Sequence, residues 1–215
     1  MDKKVFRNGV KENLRLPKRL IYCWIPSHEH IALLYENKVD LDSAVSRFLN
    51  EGLRRQQLCV YAPVHFRDKD YIDNFSLSKD NYNEKVEKGN LLIIDLASFY
   101  VSALLHDMKP FEEARKLFAE KVKARRDKHV RFVGDGTGFC FRNKLVDVCA
   151  MVEQRWKGKP FEGSYVCPFP KQFFDAFPHD MHSKRVIVDT HDIFVNASGE
   201  NSNENNGLNQ DRGVN

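Results

Sequence analysis

The 215-residue chain is 42% hydrophobic and 30% charged, enough apolar material for a buried core, yet no apolar run approaches the roughly 20 residues of a bilayer span. Its opening residues carry charge without an apolar h-region, which argues against a secretory signal and for a cytoplasmic protein. The net charge of +4 is uneven: residues 1–19 hold seven Lys/Arg and two Asp/Glu, a local +5 that leaves −1 for the rest.

In chain order, residues 1–27 read as a basic arm, either a solvated terminus or a contact for nucleic acid, anionic lipid or an acidic partner. "CWIPSHEH", which runs from the arm into the first strand, offers Cys23, His28 and His30 but lacks the pair spacing of a metal site, so no metal centre is expected. "HIALLYE" reads as a first buried strand. "DLDSAVSRFLNEGLRRQQ" follows as a helix with Leu41, Ala44, Val45, Phe48 and Leu49 on one face and Asp40 or Asp42 as its cap. "LCVYAP" is a second strand, stopped by Pro63. Residues 64–89 read as a loop with a short helix near "SKDNYNEKVEKG", and "NLLIIDL" is a third strand.

"FEEARKLFAEKVKARRDK" forms the next amphipathic helix and "HVRFVG" the fourth strand. "FRNKLVDVCAMVEQRW" is a helix whose inward stripe is Leu145, Val148, Cys149, Val152 and Trp156, with Glu153 assigned to a solvent-facing flank. "GSYVCPFP" is a fifth strand. "KRVIVDTHDIFVN" reads as two short strands around "DTHD", a terminal hairpin or antiparallel edge. Residues 28–196 thus form one unit, and the Asn-rich stretch 197–215 is a disordered tail. The alternation implies an α/β fold with a mainly parallel sheet covered by helices on both faces, and a ligand edge beyond the carboxyl ends of the strands. Five scattered cysteines suit reduced, buried thiols better than a disulfide framework.

The stretch "RFVGDGTGFCF" is the most suggestive local feature. Strand, glycine turn and helix start together resemble a phosphate cradle, but the P-loop pattern GxxxxGK[ST] needs a Lys and a hydroxyl where this chain has Phe139 and Cys140. GxGxG is not the dinucleotide fingerprint either, and Asp135 would repel phosphate. "LLIID", ending at Asp95, has the shape of a magnesium-binding strand end, a pattern common by chance in α/β proteins.

Ligand-binding candidates are Tyr35 and Glu36 after the first strand, Asp135 and Thr137 in the glycine turn, and Tyr100 and Phe139 as an aromatic wall. Each has a structural alternative: a rim hydrogen bond for Tyr35, an Asx-type turn for Asp135, core packing for Tyr100 and Phe139. Period two sends His30 and Tyr35 to opposite faces of their strand. Cys167 reads as core. No catalytic residues and no cofactor are expected, since no Ser-His-Asp order or HExxH occurs.

The order of these pieces resembles the MEDS domain, the sensory domain of methanogens, methylotrophs and the dichloromethane regulator. The likeness spans about residues 28–196. It runs through His30, Tyr35 and Glu36, "FLNEGLRRQQLCVY", Tyr100, "RFVGDGTGF", Glu153, Cys167, then His182 and Asn196. It departs where Asp135 stands for a usual Glu and Gly138 or Phe139 for a usual Trp. The resemblance implies a degenerate relative of the RecA/KaiC-type three-layer fold that has lost its P-loop and senses small molecules through a separate signalling partner. Two other functions stay open. One is an ATP-binding or ATP-hydrolysing protein using Asp95 and a non-standard loop. The other is a nucleic-acid-associated regulator using the basic arm and "KVKARRDKHVR".

Overall fold

The computed structural model describes residues 29–64, 69–77, 81–125, 129–156, 162–178 and 181–197. The basic arm at 1–27, with Cys23, the adjoining His28 and residues 198–215 of the expected tail lie outside them. Six strands form one sheet: β1 (His30–Tyr35), β2 (Leu58–Ala62), β3 (Leu91–Ile93), β4 (Val130–Gly134), β5 (Gly163–Pro170) and β6 (Ile193–Asn196). Their spatial order is β3-β2-β4-β5-β1-β6, and every pairing is parallel. β1, β2, β4 and β5 are buried along their whole length, as continuous apolar strands must be when helices cover both faces. Among the described residues no helix is long and apolar enough to cross a membrane.

One face is covered by α1 (Lys38–Arg54) and α2 (Lys69–Leu77). Leu41, Ala44, Val45, Phe48 and Leu49 of α1 pack on Ile31, Leu33 and Tyr35 of β1, the odd-numbered half of that strand. Asn37, rather than Asp40 or Asp42, caps α1: its Oδ1 accepts from the Asp40 N–H at 3.0 Å. The helix closes through Gln56 at φ 58°, with the Gln57 N–H reaching back to the Gly52 carbonyl at 2.9 Å. Arg131, counted in the sequence as part of a basic segment, is buried beneath α1, donating to Gln57 Oε1 at 2.8 Å and the Phe48 carbonyl at 3.0 Å.

The other face carries α4 (Ala97–Leu104), α6 (Gly136–Arg142), α7 (Val146–Trp156) and α9 (His182–Thr190) against His30, Ala32 and Leu34 of β1 and Tyr165, Cys167 and Phe169 of β5. α3 (Tyr82–Glu87), α5 (Lys109–Arg125) and α8 (Lys171–Ala176) complete the helices of the described residues. The stretch read as one helix at 141–156 breaks in two, because Lys144 takes φ 59° and the Leu145 N–H bonds the Cys140 carbonyl at 2.8 Å, ending α6 in a left-handed cap.

Three expectations need correction. The C-terminal stretch is not an antiparallel hairpin: residues 182–190 form α9, and β6 runs parallel to β1, Ala32 opposite Phe194. Its β-branched residues suggest strand, but Ser183, Lys184, Ile187 and Thr190 are buried at helical spacing, and packing outweighs propensity. Glu153 does not face solvent; it is 1% exposed on α7, one turn beyond Cys149 and on the same side. α2 and α4 fall where no helix is expected, α2 in a mixed polar stretch and α4 in one too uniformly apolar to show a helical period.

Candidate functional site

The glycine turn is a packing joint. A Cβ on Gly136 would sit 2.1 Å from the Tyr100 ring, and one on Gly138 would sit 2.9 Å from the Tyr35 hydroxyl. Both glycines therefore let α6 lie flat against aromatic side chains. Thr137 between them donates to the Pro168 carbonyl at 2.6 Å. Asp135 faces the α1 side, where Oδ1 accepts from the Val64 N–H at 2.7 Å and Oδ2 from the Tyr61 hydroxyl at 3.4 Å. Tyr61 in turn bonds the Tyr71 hydroxyl. Burial pushes both phenols up, and the Asp135 carboxylate adds to this, so both hold their protons.

The six candidate residues do not converge. Tyr35 is buried on the α1 side and accepts from Arg142 Nη1 at 2.9 Å. Glu36 is exposed, and Phe139 is partly buried against the main core. Of the six, only Tyr100 and Thr137 line a small cavity on the opposite face, between the sheet and α4, α6 and α7. Leu96, Phe132, Trp156 and Tyr165 complete much of its apolar wall. The cavity is small, about 10 Å³, with room for about one water.

At the polar end of that cavity stand His30, Glu153 and Cys167, with His191 behind them. Period two on two adjacent strands brings His30 and Cys167 to the same face, α7 delivers Glu153 from above, and the chain leaving α9 delivers His191. His30 Nε2 lies 3.2 Å from Glu153 Oε2 and 3.2 Å from Cys167 Sγ. Glu153 Oε2 lies 3.7 Å from Cys167 Sγ and 3.6 Å from His191 Nε2. The imidazoles stack with centroids 4.0 Å apart. All four residues are buried, and one ligand atom from each lies within 4.8 Å of the others.

Each imidazole is oriented from behind. His30 Nδ1 contacts the Thr190 carbonyl at 2.8 Å, and His191 Nδ1 contacts the Ile187 carbonyl at 2.6 Å. A carbonyl oxygen only accepts, so both Nδ1 atoms carry the proton and both Nε2 atoms point into the cluster. Burial alone would lower the His30 pKa, but the hydrogen bond and charge of Glu153 outweigh it and the group is raised. Burial likewise favours a neutral Glu153, yet the His30 hydrogen bond and the nearby His191 hold it below the ordinary carboxyl value. The two shifts agree on a His30–Glu153 ion pair. Burial drives His191 down to about 4, and its Nε2 is buried with no hydrogen-bond partner. Burial and the Glu153 charge push the Cys167 thiol well up.

Sequence reasoning missed this constellation in a specific way. His30, Glu153 and Cys167 were legible only as loose pattern positions. The histidine assigned to the pattern, His182, is exposed at the start of α9, whereas His191 enters the cluster. One signal was available: Glu153, four residues after Cys149, is a carboxylate on an apolar helical stripe.

A six-stranded parallel sheet in this order, with helices on both faces, is a RecA/KaiC-like α/β fold. The profile of the MEDS family, "MEthanogen/methylotroph, DcmR Sensory domain", matches residues 29–184, and the chain belongs to that family. No curated protein matches the chain. Among solved structures it is similar to the KaiC-like protein PH0186 of Pyrococcus horikoshii OT3, with a TM-score of 0.50 and 12% identity over 80% of this chain and 73% of that one. It also matches the flagellar accessory protein FlaH of Methanocaldococcus jannaschii, with a TM-score of 0.44 and 14% identity over 86% of this chain and 78% of that one.

Proposed function

We propose that this chain is a non-catalytic sensory domain that binds a small molecule of few heavy atoms between the sheet and α4, and passes the signal to a separate protein partner in the cytoplasm. The observation that carries this reading is a water-sized cavity whose apolar aromatic wall meets converging polar groups at one end, the lining chemistry of a small-ligand site in miniature. Membership of a family described as a sensory domain supports it. So does the way the glycine turn is filled by Tyr100 and Tyr35, which leaves no backbone nest for a triphosphate.

The present volume sets the ligand's size. Anything much larger than water requires α4 to shift, and that shift would carry the signal, since α4 contributes Tyr100 to the cavity and exposes Val101 on its outer side. Thermal unfolding of the full chain should be measured against short alcohols, amines, thiols and halogenated methanes. At least one class should raise the midpoint, and Leu96→Phe, which fills the cavity, should abolish the rise. A midpoint unmoved by the whole panel but raised several degrees by ATP–Mg²⁺ would replace this reading with nucleotide binding.

A further inference from the structure

We infer that His30, Glu153, Cys167 and His191 form a site for a single divalent transition-metal ion, of which zinc is the best match. The inference is independent of the sensory reading, because the four residues can hold an ion whether or not the cavity beside them takes a ligand.

The first argument is electron-pair counting. Four donor atoms face one another: two imidazole Nε2 atoms, a carboxylate oxygen and a sulfur. Both Nδ1 positions are committed to carbonyls of α9, so the imidazole lone pairs can point nowhere else. Protons serve such a cluster poorly. One on His30 can bridge to Glu153 and one on Cys167 can do likewise, yet the buried Nε2 of His191 faces the same carboxylate at 3.6 Å with nothing between them. Two acceptors in contact repel, and a buried polar atom left unpaired is costly. A cation placed among the four satisfies every lone pair at once.

Geometry gives the second argument. Tetrahedral zinc binds nitrogen and oxygen at about 2.0–2.1 Å and sulfur at about 2.3 Å, which sets donor–donor edges of roughly 3.3–3.6 Å. The four edges measured here are 3.2, 3.2, 3.6 and 3.7 Å. The remaining edges are at most 4.8 Å, and the stacked imidazoles must turn from their 26° interplanar angle for both lone pairs to meet one ion.

Charge and donor softness supply the third. Two neutral imidazoles, one carboxylate and one thiolate cancel a dication, so the loaded site is electrically neutral in an interior that penalises net charge. Binding releases the thiol proton of Cys167 and the His30 proton to solvent, with no change of oxidation state. Thiolate with imidazole selects zinc over magnesium or calcium, which prefer oxygen. The two carbonyl-anchored Nδ1–H groups are the outer contacts that orient metal-binding histidines.

The test uses the full chain, stripped with a chelator and reloaded with Zn²⁺ or Co²⁺. The expected result is one ion retained per chain after desalting. The Co²⁺ form should show the visible bands of a tetrahedral ion and a near-ultraviolet thiolate-to-cobalt band. Cys167→Ser should lose the thiolate band while keeping the tetrahedral bands, and His191→Ala should weaken affinity at least tenfold. Should either variant fail to fold, X-ray absorption of the zinc-loaded wild type decides, with one sulfur and three nitrogen or oxygen neighbours expected. Failure to retain an ion, a thiolate band that persists in Cys167→Ser, or a first shell with no sulfur or more than one overturns the inference.

Discussion

The sheet separates two buried polar clusters that solve the same problem differently. On the α1 side, the Asp135 carboxylate accepts from the Val64 N–H and the Tyr61 hydroxyl, and Tyr61 bonds Tyr71. Donors meet acceptors, and the network needs nothing from outside. On the α7 side, His30, Glu153, Cys167 and His191 bring four lone-pair atoms together and leave His191 Nε2 without a partner. The first cluster explains itself as a brace between β2, β4 and α2. The second leaves one buried nitrogen of the four residues, His191 Nε2, unsatisfied. Burying polar groups is therefore no mark of function by itself; what separates the two clusters is whether every buried atom finds a partner.

The largest expected difference between the two faces comes from metal removal. If the α7-side cluster holds zinc, chelation should lower stability by about 4 kcal/mol when the free ion stands near a thousand times its dissociation constant. Urea unfolding with and without chelator measures this. Asp135→Leu should respond to chelator as the wild type does, and Cys167→Ser should respond far less. Equal chelator responses from Cys167→Ser and the wild type would erase the contrast.

Next comes Gly136→Ala, which puts a methyl 2.1 Å from the Tyr100 ring. Overpacking of this kind costs about 1–3 kcal/mol, and the clash here lies at the upper end. Combining it with Tyr100→Leu should recover part of the loss, a positive coupling between the two sites. If Gly136→Ala were silent in thermal unfolding, the turn would have room that the packing denies. Asp135→Leu should cost about 1–3 kcal/mol by leaving the Val64 N–H without its carboxylate. Asp135→Asn, which can still accept that bond, should cost less.

How much of this was legible beforehand follows the same division. Strands β1, β2, β4 and β5 and helix α1 were visible because continuous apolar runs and a 3.6-residue period leave few alternatives. The glycine turn was legible as a departure from the P-loop pattern, since Phe139 and Cys140 follow its last glycine where that pattern has Lys and a hydroxyl. The C-terminal helix was hidden: the β-branched run "RVIVDT" looks like strand until α7 is present to bury Ile187. The cluster was the least legible feature. Its four residues lie 14 to 161 positions apart along the chain. Only strand order, with β5 beside β1, places Cys167 next to His30. His191 needs α9 to be a helix before its Nδ1 can meet Ile187.

The smallest expected effect lies at the surface end of α1, where Glu51 accepts from Arg55 Nε at 2.6 Å and from Arg54. Desolvation would raise this carboxyl, but the two guanidinium groups outweigh it and hold the folded pKa below the ordinary value. A lowered folded pKa means that the unfolded chain binds the proton more tightly. The stabilisation is therefore complete above the unfolded carboxyl pKa of about 4.3 and lost as pH falls through the folded value. Both arginines are largely in water, so screening limits the pair to about 0.5 kcal/mol. Glu51→Gln should lower the urea midpoint slightly at pH 7, with the gap closing once the pH is well below 4, and added salt should shrink it further. Chelator should leave that gap untouched, because Glu51 sits on the face whose polar groups already satisfy one another.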